Sequence, residues 1–354
     1  MSVYGFSRPT TPFLDSLHRQ GRLTRVDHAF SACTESYCGL LAILTSKYWH
    51  QAAPGSFGLH DVLKRLGYRI SFLVSGDHTH FYGLRHAYGP SVDNYRDGSM
   101  VAGYMNDDNN VLDWLAQLHP KAGVPQFMYM HLVSVHPLGT RHPPYRKWEP
   151  SEVGLRNLRF EEFVPPYINN YNNGVLQVDA LIQRIFGLLR DKGLLNDAII
   201  VVTSDHGELL GEYGRVGHSG LAPMGPLARV PLLIYDTDNV HYPARPMASV
   251  VDIAPTLLHR IGAPIPHNWA GEALDTPPTR EFVYLQGGGS RGAITQVGAD
   301  LWKYLQADSG QVERLFNITR DPLERHEVKP QSAPEALAKL RAGFRATFGE
   351  ARNQ

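Results

Sequence analysis

The chain has 354 residues, of which 43% are hydrophobic and 19% charged, a composition typical of a globular protein with a sizeable core. Lysine plus arginine number 34, as do aspartate plus glutamate, so no net charge attracts nucleic acid or an anionic membrane. The presence of only two cysteines excludes a disulfide framework. Cys33 and Cys38 are spaced either for one local bridge or for two buried thiols.

The predicted helices and strands alternate along the chain, which is typical of a parallel sheet flanked by helices. Thr11 is expected to cap the first helix, with Pro12 at its first position. Hydrophobic periodicity predicts helices over 13–20, 36–46, 59–66, 110–118, 169–192 and 249–261, and strands over 68–74, 126–133, 198–202 and 230–235.

Proline-rich segments at 263–266 and 277–278 indicate a domain boundary. We therefore expect an α/β core over 1–275 and a small C-terminal α+β subdomain over 276–354. Within the subdomain, the pattern predicts strands at 282–285, 293–297 and 302–305 and a closing helix at 333–348. No apolar run approaches the ~18 residues of a membrane-spanning helix, and no signal peptide is recognisable, so a cytoplasmic location is expected for the chain as written.

The segment 203–218 carries the clearest chemical signal, because it places Asp205 and His206 directly after a buried strand. In open α/β sheets, ligands bind beyond the carboxyl ends of the strands. A carboxylate beside an imidazole suits Zn²⁺ or Mn²⁺, and Glu208 and His218 are close enough in sequence to join the same pocket. The alternative is a polar strand end with solvated acids.

Ser36 lies at the start of a predicted helix, where free N–H groups and the helix dipole favour an alkoxide and an incoming phosphate or sulfate. Beside a metal ion such a hydroxyl becomes a nucleophile. On its own, this position is better explained if Thr34 or Ser36 simply caps the helix.

Together the two segments resemble the sulfatase and alkaline-phosphatase-like superfamily. In that family the nucleophile lies ten residues before the end of a Leu-x-Thr-Gly-type element, which here places it at Ser36. The resemblance implies that Asp205 and His206 are metal ligands and that His218 holds substrate or a second metal. It also implies an alkaline-phosphatase-like fold, with a mostly parallel sheet between helices.

Further motifs extend the resemblance nearly from end to end, including residues 10–17 and 315–325. The segment 131–150 is similar to phosphoethanolamine transferases, which implies that His136 contacts the transferred group. His78 and His80 follow a strand near where sulfatases bind the sulfate, although a solvated loop explains them equally well. Lys303 falls where the family carries a lysine near the pocket, and we interpret it as structural.

The chain departs from the family pattern in two places. Cys38 and Leu40 follow Ser36 where formylglycine sulfatases need other residues, so an unmodified serine is expected, which favours phosphoryl transfer. The first apolar strand and first acidic metal ligand are also expected upstream of Met1. On this hypothesis, either the start codon is misassigned or the protein is a truncated relative. A misassigned start would also hide a membrane segment and allow a periplasmic or membrane-associated location.

The sequence therefore predicts a metal-dependent hydrolase or transferase of sulfate or phosphate esters that uses a Ser36 covalent intermediate. The leaving oxygen is expected to be protonated, or the developing charge stabilised, by His136 and His218. Substrate binding is expected to involve His78, His80 and Glu208. The ion is expected to be Ca²⁺, Zn²⁺ or Mn²⁺. The expected partner is a small-molecule, lipid-headgroup or glycan ester, with no nucleic acid and no membrane segment in this chain. The alternatives are a phosphoethanolamine-type transferase acting on a membrane lipid or glycan, and an impaired family member that acts as a binding protein.

Overall fold

A computed structural model describes residues 1–53, 55–80, 83–153, 159–310 and 312–349. The helices are α1 (Pro12–Arg19), α2 (Ser36–Thr45), α3 (Leu59–Arg65), α4 (Leu84–Ala87), α5 (Asn109–Gln117), α6 (Phe160–Asp191), α7 (Gly225–Ala228), α8 (Ile253–Arg260) and α9 (Pro334–Phe348). The strands are β1 (Thr24–Arg25), β2 (Ala29–Phe30), β3 (Arg69–Val74), β4 (Asn94–Asp97), β5 (Gln126–His131), β6 (Ile199–Thr203), β7 (Leu209–Leu210), β8 (Val216–Gly217), β9 (Leu232–Asp236), β10 (Ala248–Ser249), β11 (Val283–Gly287), β12 (Ser290–Val297), β13 (Asp300–Ala307) and β14 (Glu313–Asn317).

The chain divides into two compact units, each made of three segments. The first unit contains 1–24, 57–200 and 234–240, and the second contains 25–56, 201–233 and 241–354. The strands β1, β9 and β6 form a sheet in that order. The domain boundary predicted after residue 275 stays a prediction. In the part of the chain that the structure describes, no helix is both long enough and apolar enough to cross a bilayer, and the predicted cellular location stays a prediction.

The first unit is built on a parallel sheet with the order β4-β3-β5, as the alternating pattern predicted. Val74 at the end of β3 pairs with Asp97 in β4 and with His131 in β5, so the carboxyl ends of the three strands lie at one edge. Leu73 packs into a buried cluster with apolar side chains of α5 and α6. Burying these side chains stabilises the unit, at about 25 cal/mol for each Å² of apolar surface removed from water.

The first helix is capped differently from the prediction. Pro12 occupies its first turn as expected, but the Thr11 side chain makes no capping hydrogen bond to the helix. The Asp179 carboxylate in α6 instead accepts hydrogen bonds from the backbone N–H groups of Phe13 and Leu14, at 2.8 and 3.0 Å. Thr11 Oγ1 is used elsewhere, because it accepts from the N–H of Val3 at 2.9 Å. A distant carboxylate therefore replaces the local cap.

The longest helix begins earlier than predicted. Periodicity placed its start at residue 169, whereas α6 begins at Phe160 and includes Pro165 and Pro166. Proline lacks the N–H that a helix interior requires, and the sequence pattern therefore favoured a start beyond both prolines. Glu161 and Glu162 lie in the first turn, where negative charge is favourable.

The second unit contains the predicted C-terminal sheet and helix. Strands β11 to β14 pair antiparallel in sequence order, and α9 packs on the sheet through a buried cluster that includes Tyr304, Leu340 and Phe344. The short strands β2 and β10 pair parallel, and β7 and β8 form an antiparallel hairpin. The observed architecture thus agrees with the predicted α/β class with a C-terminal α+β portion.

Candidate active site

The loop that follows β6 carries Asp205 and His206 in a tight turn. The N–H of Gly207 donates to the Leu227 carbonyl at 2.8 Å, and a side chain at Gly207 would overlap the Pro226 carbonyl oxygen. Only glycine tolerates such a close backbone approach. The turn is therefore fixed against the segment 226–227 of the same unit.

The start of α2 lies against this loop because another glycine leaves room for it. A Cβ atom at Gly39 would lie 2.6 Å from the Asp205 carbonyl oxygen, which is closer than real Cβ contacts. The hydroxyl of Ser31 also donates to the Asp205 carbonyl. Ser36 is the first residue of α2, and no side chain caps that end. The first turn of α2 therefore presents the Ser36 hydroxyl and the positive end of the helix dipole beside Asp205.

The segment before Ser36 is held from two sides. The N–H of Thr34 donates to the Gln286 carbonyl in β11 at 3.2 Å, and the N–H of Gln286 donates to the Ala32 carbonyl at 3.1 Å. Cys33 and Cys38 are joined by a disulfide, with their Cα atoms 5.8 Å apart. Of the two possibilities that the spacing left open, the structure has the local bridge, which encloses Ser36 in a short covalent loop.

The imidazole of His206 faces both Ser36 and Asp205 with one nitrogen. Its Nε2 atom lies 3.1 Å from Ser36 Oγ and 3.4 Å from Asp205 Oδ2. Its Nδ1 atom lies 2.8 Å from the Gly207 carbonyl, which can only accept a hydrogen bond. We therefore assign the proton of the neutral ring to Nδ1, which leaves the Nε2 lone pair directed at Ser36 and Asp205.

The hairpin of β7 and β8 brings Glu208 and His218 together. Leu209 pairs with Gly217, so the residues just outside this pair meet, and His218 Nδ1 lies 2.7 Å from Glu208 Oε2. Burial acts to lower the pKa of His218, but the hydrogen bond to Glu208 and the charges of Glu208, Asp205 and Glu35 outweigh it, so this pKa is raised. A carboxylate–imidazole pair of this kind holds and transfers protons near neutral pH.

The rings of His206 and His218 lie with their centroids 4.2 Å apart. One ligand atom from each of His206, Glu208 and His218 lies within 4.8 Å of the others, and this is the only such group of three among the described residues. With Asp205 Oδ2 beside His206, the site offers two imidazoles and two carboxylates. This donor set fits Zn²⁺ or Mn²⁺, whereas Ca²⁺ takes oxygen ligands.

The other three predicted site residues, His78, His80 and His136, lie in the first unit. His78 is buried, with Nδ1 2.9 Å from Tyr88 Oη and Nε2 3.0 Å from His131 Nδ1. His80 is 74% exposed and pairs with Asp77 at 3.0 Å. The Nδ1 atom of His136 accepts from the N–H of Leu138 at 3.1 Å. The roles predicted for these three residues stay predictions.

Lys303 has a structural environment, as we interpreted it from the sequence. Its side chain is fully buried, and its ammonium donates to both carboxylate oxygens of Glu324, at 2.8 and 3.0 Å, and to the Pro223 carbonyl. These partners account for all three N–H donors of an ammonium group. The motif at 321–325 thus supplies a partner for a buried cation of the adjacent sheet.

Two features of the site escaped sequence reasoning. His131 was not assigned a role, although it ends β5 beside the end of β3, and the pairing of parallel strands is the signal that places it near His78. Glu208 and His218 were expected to share a pocket, but their direct pairing was not predicted. Glycines at 211, 214 and 217, all with positive φ, are the signal of a tight hairpin that brings the two side chains opposite each other.

The chain is similar to known proteins both in sequence and in fold. The family model described as Sulfatase matches residues 1–263. Arylsulfatase K of Bos taurus is 28% identical over 182 residues, which cover 46% of this chain and 33% of that protein. The match thus spans about a third of the length of this curated relative.

Two solved structures share the fold. A structure in complex with its substrate D-glucosamine-2-N,6-O-disulfate has a TM-score of 0.77 at 18% identity, covering 100% of this chain and 97% of that one. The C-terminal periplasmic domain of EcEptC from Escherichia coli, in complex with Zn, has a TM-score of 0.66 at 19% identity, covering 81% and 85%. Since the family model matches well over half of the sequence, this chain belongs to the sulfatase family.

Proposed function

We propose that this protein cleaves sulfate or phosphate esters, with Ser36 as the nucleophile and a divalent metal ion held beside it. The observation that carries the proposal is the meeting of Ser36 Oγ and Asp205 Oδ2 at His206 Nε2, at 3.1 and 3.4 Å. These atoms come from segments far apart in sequence and converge at the start of a helix, where backbone N–H groups favour an anionic substrate.

The ion is proposed to be held by Asp205 and His206, which leaves Glu208 and His218 beside it for proton transfer. When bound, it would supply Lewis acidity that favours the Ser36 alkoxide and neutralises the ester oxygens. The carbonyl of Gly207 fixes the His206 ring so that Nε2 is the unprotonated nitrogen, as is usual for a metal-ligating histidine. The imidazoles favour Zn²⁺ or Mn²⁺ over Ca²⁺.

Proton transfer is assigned to the pair of Glu208 and His218. With its raised pKa, His218 holds a proton near neutral pH and can donate it to the leaving oxygen. In the first step Ser36 Oγ loses its proton to solvent and bonds to sulfur or phosphorus, while the bond from that atom to the ester oxygen breaks and the oxygen departs as an alcohol with the proton from His218. In the second step a water oxygen displaces Ser36 Oγ, which regains a proton, and inorganic sulfate or phosphate is released.

Transfer to an acceptor alcohol is the alternative fate of the same covalent intermediate. The likeness of the segment 131–150 to phosphoethanolamine transferases, noted in the sequence, supports this second candidate. Hydrolysis and transfer differ only in whether water or an alcohol completes the reaction. Product analysis with an added acceptor alcohol separates them, because transfer yields a new ester and hydrolysis does not.

The test is an assay of the purified chain on an aryl sulfate, a phosphate monoester, a phosphate diester and a phosphonate monoester, with metal analysis of the same sample. Ser36→Ala is expected to abolish turnover of whichever ester is cleaved and to leave the unfolding midpoint unchanged. Ser56→Ala is the matched control, because among the described residues that hydroxyl bonds only to the Ala53 backbone, at a surface turn. Full activity of Ser36→Ala would disprove the nucleophile assignment.

Metal dependence is tested by dialysis against a chelator, followed by addition of Zn²⁺, Mn²⁺ or Ca²⁺. We expect loss of activity on chelation and recovery with Zn²⁺ or Mn²⁺. Asp205→Asn and His206→Gln should bind less metal than the native chain. A sample with no bound metal and no turnover of any ester would instead favour the reading of the protein as an impaired family member that only binds its ligand.

A further inference from the structure

A cavity of about 300 Å³ lies in the first unit at the amino ends of β3, β4 and β5. It is at the opposite end of the sheet from His131, the last residue of β5, and from His78, which follows the end of β3. Its walls include Arg69, Arg96 and Trp114, and no acidic residue is among the described residues that line it. The cavity is therefore positively charged and has an aromatic wall.

The polar floor of this cavity is unusual for its position in the fold. Side chains alternate between the two faces of a strand, so Arg69, Ser71 and Leu73 share one face of β3. Leu73 is completely buried against α5 on that face, as expected for a parallel sheet covered by helices. Towards the amino end the same face carries Ser71, which is 1% exposed, and Arg69. The apolar core thus gives way to a polar recess below the last turn of α5.

The two guanidinium groups have unbonded N–H donors in the described part of the chain. Neither the Arg69 nor the Arg96 side chain makes a hydrogen bond or ion pair with any residue that the structure describes. Asp93 is the carboxylate whose charge interacts with Arg69, but it is already bonded to Lys64 and to the N–H of Ile70. Two arginines with free donors on one recess are a suitable site for a planar or tetrahedral oxyanion.

We propose that this cavity binds a sulfated or phosphorylated sugar. The guanidinium groups would bind the anionic ester, the Trp114 ring would pack against the apolar face of the sugar, and the amide of Asn94 would bond to its hydroxyls. The volume lies at the low end of the range for small-molecule sites, which suits a single monosaccharide unit. The site is separate from Ser36 and does not depend on the proposed catalytic function.

A structural role for the arginines is the competing explanation. The cavity includes the end of α5, and positive charge near a helix C-terminus is favourable by about 0.3–1 kcal/mol. On that explanation, removing the arginines changes stability and not ligand binding. On the proposal, removal changes binding and leaves stability nearly unaltered.

The experiment is calorimetric titration of the full chain with N-acetylglucosamine 6-sulfate, with uncharged N-acetylglucosamine as the reference sugar. We expect binding of the sulfated sugar only, and at least a tenfold rise in Kd in the double variant Arg69→Gln/Arg96→Gln. Arg19→Gln/Arg65→Gln is the control, because it removes the same charge from exposed positions outside the cavity. Asp205→Asn/His206→Gln, which disables the proposed catalytic site, should bind the sulfated sugar as the native chain does.

Equal binding by Arg69→Gln/Arg96→Gln and the native chain would overturn the proposal, as would no binding of the sulfated sugar by the native chain at millimolar concentration. A thermal unfolding measurement accompanies each titration. Should the double variant fail to fold, Arg96→Gln alone provides the same test, because that side chain has no described partner to lose.

Discussion

Replacing Lys303 by methionine is expected to destabilise the protein by about 3–5 kcal/mol, because it leaves the Glu324 carboxylate buried without its cation. Glu324 is 2% exposed and accepts two hydrogen bonds from Lys303, at 2.8 and 3.0 Å. The methionine side chain fills a similar volume, so most of the loss comes from the uncompensated charge and not from a cavity.

The matched variants form a double-mutant cycle. Lys303→Met/Glu324→Leu removes both charges, and it should recover most of the stability, since well-packed apolar replacements of buried ion pairs are often close to neutral. Arg320→Met is the surface control, because Arg320 pairs with Asp300 at 3.0 Å but is 78% exposed, and it should cost no more than about 1 kcal/mol.

Equilibrium unfolding in urea, followed by fluorescence and by circular dichroism, measures these changes. A loss below about 1 kcal/mol for Lys303→Met, or costs that simply add in the double variant, would refute the reasoning. So would a variant of normal stability that has lost ester cleavage, because Lys303 would then contact substrate in place of Glu324.

Three further predictions concern other parts of the chain. Burial raises the pKa of Asp179 to about 6, although hydrogen bonds from backbone N–H groups act to lower it. Because the native state keeps a proton that the unfolded state has lost, the free energy of unfolding should fall by up to about 3 kcal/mol as the pH rises from 4 to 6. Unfolding measured as a function of pH should show this fall, and Asp179→Asn should reduce it. Glu208→Gln should lower the pKa of His218, so that the alkaline limb of the kcat/KM profile moves to lower pH, and an unmoved limb would contradict the assigned proton donor. Gly39→Ala should displace the Asp205 carbonyl and reduce activity at least tenfold, with unchanged turnover counting against the close packing of this loop on α2.

Much of the fold could be predicted from sequence periodicity. The strands 68–74 and 198–202 and the helix beginning at residue 36 agree with β3, β6 and α2 to within one or two residues. Long periodic segments determine their own local structure, because an apolar face fixes which side of the element is buried. The predicted start of α6 was wrong for a local reason, since Pro165 and Pro166 resemble a helix end when only neighbouring residues are considered.

The sequence by itself also determined the chemical types at the site, namely a hydroxyl at a helix start, an acid–imidazole pair after a strand, and an ester-cleaving family that uses them. It could not determine which atoms meet. The Gly207 carbonyl decides which ring nitrogen of His206 lacks a proton. The raised pKa of His218 depends on the turn of the β7–β8 hairpin, which places Glu208 opposite it.

Only the tertiary structure decided which partners the charged residues have. Lys303 and Glu324 are distant from Ser36 in sequence and carry family motifs, yet they neutralise each other in the core, whereas Arg69 and Arg96 match no motif and have donors to spare. Hydrogen bonds and ion pairs are short-range, so their partners are fixed by the packing of strands and helices that are remote along the chain. Periodicity records which face of an element is buried, but not what it is buried against.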